Sequence, residues 1–123
     1  MNYNVLIVDD ASFVRMLIRQ VLFRLAPISP LEAKNGLEAI EIYKTNRPEL
    51  TIMDITMPEL DGLSALKEIR SFDPAAKIIM CSAVSRGDIV RKALELGASD
   101  FIAKPFALDE LGTMVKKYLC RVS

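Results

Sequence analysis

Short apolar runs that do not alternate, each stopped by a charge, constrain this chain most. Val5-Leu6-Ile7-Val8 stops at Asp9-Asp10, Thr51-Ile52-Met53 stops at Asp54, and Phe101-Ile102-Ala103 stops at Lys104-Pro105. An apolar run of this length without alternation predicts a strand buried on both faces, and hence a parallel sheet. In such sheets ligands bind in the crevice beyond the carboxyl ends of the strands. The pattern therefore brings three carboxylates and one ammonium to a single rim. Carboxylates held this close are costly unless something cationic joins them. A metal site and phosphate chemistry are the expectation.

Strand and helix patterns alternate five times along the chain. Strands are expected at Asn4 to Asp9, Leu31 to Ala33, Leu50 to Asp54, Lys77 to Ser82 and Asp100 to Ala103. The first helix starts near Ser12, with Phe13, Val14, Leu17, Ile18, Val21, Leu22 and Leu25 at helical spacing, and is broken by Pro27 and Pro30. Pro30 at the start of the second strand suits an edge, because proline donates nothing to a ladder. Asn35-Gly36 turns into a second helix with Leu37, Ile40, Ile42 and Tyr43, ending before Pro48. The third helix carries Leu63, Leu66 and Ile69 and closes at Asp73-Pro74. The fourth carries Ile89, Val90, Ala93, Leu94 and Leu96, with Gly97 in the C-cap place, and the fifth carries Leu108, Leu111, Val115 and Leu119. Strands alternating with helices predict an α/β fold, a parallel sheet wrapped on both sides, as one domain over residues 1–123.

Composition removes several function classes. Sixteen basic residues cancel sixteen acidic ones, so neither a nucleic-acid footprint nor a polybasic membrane anchor is expected. The chain has no histidine, which excludes a histidine base, a Ser-His triad and His-ligated zinc within it. Cys81 and Cys120 form no CxxC spacing and read as reduced thiols of a cytoplasmic protein. No apolar stretch approaches the ~20 residues of a membrane span, and no secretory signal is visible at the N-terminus.

The oxygen-only donor set Asp9, Asp10 and Asp54 selects Mg²⁺, Mn²⁺ or Ca²⁺, and a few carboxylates with waters and a phosphate is the usual Mg²⁺ arrangement. Three negative charges, a divalent cation and Lys104 leave a nearly neutral site able to accept a phosphoryl group. Each residue also has a plainer reading. One Asp after the first strand would suit helix N-capping, which two adjacent ones fit less well. Asp54 alone could be a loop residue at a strand end, and Lys104 a solvated lysine. The Lys104-Pro105 bond is a candidate cis peptide that would fix where the lysine points. The Ser82 hydroxyl could meet a phosphoryl oxygen or cap a helix. Phe101, judged by spacing, is core.

Five segments together carry more than any one residue: Leu6-Ile7-Val8-Asp9-Asp10, Ala33-Lys34-Asn35-Gly36, Asp54-Ile55-Thr56-Met57-Pro58-Glu59-Leu60-Asp61-Gly62, Ser82-Ala83, and Gly97 through Phe106. In this order and on these elements the chain resembles the receiver domain of two-component response regulators over essentially its whole length. The resemblance implies a flavodoxin-like (βα)5 fold with sheet order 2-1-3-4-5. It implies Asp54 as the acceptor of a phosphoryl group from a phosphohistidine on a histidine kinase. Asp10, Asp9 (partly through water), Asp54 and the Thr56 backbone carbonyl would hold Mg²⁺, with Mn²⁺ as a substitute. Lys104 would pair with Asp54 and then with the phosphoryl oxygens, which Ser82 and the Ala83 backbone N–H would also grip. Ser82 and Phe101 would be the switch pair, and the fourth helix, fifth strand and fifth helix the output face. The implied partners are the kinase, a downstream protein (the flagellar motor switch if the chain is of the chemotaxis type) and a phosphatase. Such a domain is a switch that modifies itself, not a turnover enzyme.

Two departures stand out. Val84 is apolar where relatives often carry a polar or charged side chain that affects hydrolysis of the aspartyl phosphate, and Phe101 replaces a common tyrosine. Competing readings are a receiver cut from a longer DNA-binding or effector regulator, and an aspartate-nucleophile phosphohydrolase of the haloacid dehalogenase type. The latter carries DxD on its first strand, whereas here the acids are adjacent and the third lies on another strand. A nucleotide-binding domain lacks support because neither GxxxxGK[ST] nor GxGxxG occurs.

Overall fold

Each of the five apolar runs forms a strand, and each strand is followed by a helix. The structure, a computed structural model, describes residues 2–119. In chain order the elements are β1 (Tyr3–Val8), α1 (Ser12–Leu25), β2 (Ile28–Ala33), α2 (Gly36–Asn46), β3 (Leu50–Asp54), α3 (Gly62–Phe72), β4 (Ile78–Ser82), α4 (Gly87–Glu95), β5 (Asp100–Ala103) and α5 (Leu108–Leu119). All neighbouring strands are parallel, in the order β2-β1-β3-β4-β5. Among the described residues no helix is long and apolar enough to cross a membrane. Cys81 is a buried free thiol, and Cys120 lies outside the described residues.

The buried runs of β1, β3 and β4 are needed because both faces of the sheet are covered there. Along β1, Val5 and Ile7 face one core with Ile18 and Leu22 of α1 and Leu111 and Val115 of α5. Leu6 and Val8 face the other, with Tyr43 of α2, Leu66 and Ile69 of α3, and Ala93 of α4. α4 is the least buried of these helices: Ala93 is its one fully buried residue, and no side chain caps its N-terminus.

Three details differ from the sequence reading. β2 begins at Ile28, and Pro30 lies within it, opposite Val5. Its edge position allows this, since one side of the strand has no ladder to supply. Phe13, Leu37 and Leu94 are exposed, although each belongs to the apolar set read for its helix. Each lies roughly 100–160° around its helix from the buried Ile18, Ala39 and Ala93. Leu108, the first residue of α5, is exposed as well.

Two glycines set how closely the helices approach the rim. A Cβ on Gly62 would lie 2.0 Å from the Asp54 backbone oxygen, and one on Gly36 would lie 2.4 Å from the Leu60 oxygen. Both glycines donate backbone hydrogen bonds there, Gly62 to Ile55 (2.7 Å) and Gly36 to Leu60 (2.9 Å). Gly97 follows α4 with φ +105°, a left-handed conformation that ends the helix without a Cβ penalty. Gly62→Ala is expected to cost about 3 kcal/mol or more in urea unfolding, because backbone meets the new methyl. Gly87 has open space around its Cβ position. Gly87→Ala should be neutral or stabilising by up to about 1 kcal/mol in the same measurement.

Candidate functional site

The register of the central strands brings the charged strand ends together. Val8 pairs with Met53, so Asp9 and Asp54 emerge side by side from β1 and β3. Ser82 closes β4 opposite Ala103 of β5, and the Lys104 backbone N–H donates to the Ser82 carbonyl at 2.8 Å. That bond delivers the lysine to the same rim, where Lys104-Pro105 is cis. One carboxylate oxygen from each of Asp9, Asp10 and Asp54 lies within 4.8 Å of the others.

The acids differ in what surrounds them. Asp9 is buried, and every polar group it has is engaged: its N–H donates to Ala33, its Oδ1 accepts from the Ala11 N–H (2.9 Å), and its Oδ2 accepts from Lys104 Nζ (2.7 Å). Its carbonyl accepts from Arg15 Nη1 (2.6 Å). No carboxylate caps α1, whose N-cap is Ala11, so the capping alternative does not describe Asp9 or Asp10. Asp10 is exposed and, among the described residues, its carboxylate takes no hydrogen bond or ion pair. Asp54 is only 7% exposed and lies 3.3 Å from Lys104 Nζ. Lys104 thus bridges two acids, and its shorter contact is to Asp9, the more deeply buried one, rather than to Asp54.

The charges shift one another. Burial pushes the Asp54 carboxyl above its ordinary value; Lys104 opposes this and the Asp9 charge adds to it. Burial alone would lower Lys104, but its hydrogen bond to Asp9 and the charges around it hold it above the usual lysine value. Cys81, opposite Asp54 in the sheet, is pushed up to about 12, chiefly by burial, and is an inert thiol below the site.

The other residues singled out by sequence stand around this cluster. Ser82 is buried, and its Oγ accepts from the Val84 N–H at 3.0 Å. Ala83 and Val84 are exposed just beyond it, and Thr56 is exposed at the start of the loop after Asp54. Phe101 is half-buried against the core shared by α2, α3 and α4. Sequence reasoning did not find Arg15. Its only sequence signal is a basic residue one turn into the helix that follows the acidic pair, with Glu32 as a distant partner at 2.7 Å.

The donor set fits a hard divalent cation: carboxylate oxygens, one of them open to solvent on Asp10, with neither histidine nor thiolate among them. An anionic group placed between Asp54 and Lys104 would find an ammonium already held in place.

Comparison with known proteins agrees with this fold. The family model described as response regulator receiver domain matches residues 5–116. The chain belongs to that family, whose members are phosphorylatable switches of two-component signalling and not turnover enzymes. Within it the chain is of the CheY type. It is 48% identical to the chemotaxis protein CheY of Bacillus subtilis over 119 residues, which is 97% of this chain and 99% of that protein. It is 49% identical to CheY of Thermotoga maritima over 106 residues, 86% of this chain and 88% of that one. A solved structure of a CheX-CheY-BeF3-Mg²⁺ complex from Borrelia burgdorferi superposes with a TM-score of 0.90 at 33% identity, covering 97% of this chain and 90% of that one. The phosphohydrolase reading gives way to this one.

Asp54 takes up its proton more readily in the folded state than in the unfolded chain. Stability due to this group therefore falls as pH rises from the ordinary carboxylate value through the raised one. Asp54→Asn should stabilise the cation-free protein by on the order of 1 kcal/mol at about pH 7. The gain should shrink toward zero by about pH 4. Urea unfolding at the two pH values checks this, and a gain that persists unchanged at the lower pH contradicts it.

Proposed function

We propose that Asp54 accepts a phosphoryl group from a phosphohistidine of a partner histidine kinase. An Asp54 carboxylate oxygen forms the new bond to phosphorus, the phosphorus–nitrogen bond breaks, and the imidazole leaves on the kinase. An ionised carboxylate needs no general base for this. The absence of histidine from the chain is therefore no obstacle. The observation that carries this reading is Asp54 itself: a carboxylate buried at the end of a central strand, 3.3 Å from a lysine ammonium and beside two further acids. Phosphoryl transfer asks mainly for positioning and charge neutralisation, which such a cluster supplies.

Asp9, Asp10, Asp54 and the Thr56 carbonyl are the groups that would hold Mg²⁺, and Mn²⁺ would fit the same oxygens. When bound, the cation supplies neutralisation of the charge on the phosphoryl oxygens. Asp10 would be the free ligand, and Asp9, already engaged by Ala11 and Lys104, would contribute partly through water. Lys104 then answers the phosphoryl oxygens, and Ser82 and the Ala83 N–H complete the grip. For Ser82 this means exchanging its bond from Val84 for one to the phosphoryl group. Space vacated beside Ser82 lets Phe101 turn inward, altering the surface of α4, β5 and α5 that a downstream protein reads.

The similarity to CheY proteins supports a role in chemotaxis, with the flagellar motor switch as the downstream partner, in the cytoplasm. No direct contact with nucleic acid or membrane is part of the reading.

Acetyl phosphate with Mg²⁺ should give an acid-stable, base-labile phosphoprotein. Labelling should vanish in Asp54→Asn, and labelling that survives there sinks the assignment. Asp10→Asn should weaken Mg²⁺ binding by about tenfold or more. Val84 is exposed and apolar, so it cannot orient a water at the phosphoryl group. The aspartyl phosphate should therefore persist until a phosphatase acts on it. Val84→Glu should shorten its lifetime, measured by loss of label, and a longer lifetime in the variant counts against this account.

A further inference from the structure

α2 and α3 are each led by a side-chain cap: Asn35 Oδ1 accepts from the Glu38 N–H, and Asp61 Oδ1 from the Ser64 N–H. Such caps fix the angle at which a loop enters its helix. The loop that leads into α1 carries Asp9 and Asp10, yet Ala11 is its N-cap and no acidic residue lies in the first turn. Within that loop the Asp9 carboxylate accepts from the Ala11 N–H and the Asp9 N–H donates to Ala33, and among the described residues the one side chain that grips the loop's backbone from outside it is Arg15.

Arg15 lies in the first turn of α1, with its side chain 14% exposed. Its Nη1 donates to the Asp9 carbonyl at 2.6 Å, and its Nε donates to Glu32 Oε1 at 2.7 Å. Glu32 stands on β2 opposite Ile7 of β1, two residues before Asp9. The planar guanidinium therefore ties the end of β1 and the start of α1 to β2, with two donors in fixed relative orientation. Arg19 also donates to Glu32, from the next turn of α1, but makes no contact with Asp9. The paired arginines hold the Glu32 carboxyl below its usual range against the effect of burial.

We propose that Arg15 is a positioning residue for the cation site: by clamping the Asp9 carbonyl to Glu32 of β2, it sets the direction in which Asp9 and Asp10 present their carboxylates. This rests on the reading of those acids as cation ligands. Glu32 has a second part in it, since it neutralises a positive charge that would otherwise stand close to the cation.

The sign of one measurement separates positioning from simple charge. Coulomb's law alone says that removing a cation from near the site tightens Mg²⁺ binding. Positioning says that it weakens it. Mg²⁺ titration followed by calorimetry, with the unfolding midpoint of each variant measured alongside, makes the comparison. Arg15→Ala should raise the Mg²⁺ dissociation constant about tenfold. Arg15→Lys, whose single ammonium cannot serve both acceptors in the same geometry, should not restore it. Glu32→Gln should weaken binding in the same direction, and the double variant should be no worse than Arg15→Ala alone. Arg19→Ala removes an ion pair with the same glutamate and leaves Asp9 untouched, so it should shift stability without shifting Mg²⁺ affinity. Unchanged or tighter binding in Arg15→Ala and Arg15→Lys overturns the proposal. Equal weakening in Arg19→Ala overturns it too, because the effect would then follow stability. If Arg15→Ala does not fold, Arg15→Lys decides: it keeps the charge, so Coulomb's law alone predicts unchanged binding and positioning predicts weaker binding. Failure of the wild type to bind Mg²⁺, or unchanged binding in Asp10→Asn, would instead overturn the reading of the site itself.

Discussion

The site depends on one ammonium shared between two carboxylates at the ends of neighbouring strands. Asp9 and Asp54 emerge together because β1 and β3 are paired in register, and neither has much access to water. Left alone they would repel each other in a medium that screens poorly. Lys104 reaches both, at 2.7 and 3.3 Å, from the far side of the sheet. Burial outweighs this compensation, and with the Asp9 charge it keeps the carboxyl of Asp54 above its ordinary value. A site so arranged is short of positive charge, which is the condition under which a divalent cation is welcome. Once the cation is there, the site is prepared for an anion.

The scaffold serves this balance by bringing backbone close to backbone. Gly62 and Gly36 let the first turns of α3 and α2 press on the segment after Asp54, so that the loop of residues 55–61 is held at both ends by main-chain hydrogen bonds. The Lys104 main chain is tied to Ser82 in the same way. The side chains at the rim thus differ in freedom. Asp9 is fully bonded, Asp54 is buried and paired with Lys104, and Asp10 is open. Three residues of one chemical type are fitted for different work by their surroundings.

Much of this was legible in the sequence, for identifiable reasons. Apolar runs that fail to alternate specify strands covered on both faces, and the charge that stops each run marks the rim. The sheet order and the company of Asp9, Asp10, Asp54 and Lys104 follow from that pattern and from resemblance to receiver domains. What escaped depends on angles and on distant partners. Lys104 makes its shorter contact with a residue 95 positions away, a choice made by relative burial and not by motif. Phe13 and Leu37 match a helical period yet turn outward, because a wide apolar stripe does not reveal which edge of it meets the sheet. Pro30 inside β2 contradicts a rule about strands that edge position relaxes. Arg15 acts through a backbone carbonyl, and no residue type records that.

The shallow seat of α4 has its own consequence. With Ala93 as its one fully buried residue, half-buried Ile89 beside it and no side-chain cap, this helix has little free energy invested in its position. The hydrogen bonds an added phosphoryl group makes with charged partners contribute roughly 1.5–3 kcal/mol each. That is comparable to what burial of one or two small side chains holds in place. On the proposed reading, a rearrangement that begins at Ser82 would meet its lowest resistance at α4, and the chain would deform there before the sheet does. The proposed chemistry would then sit on the rigid part of the molecule, and a partner would sense the compliant one.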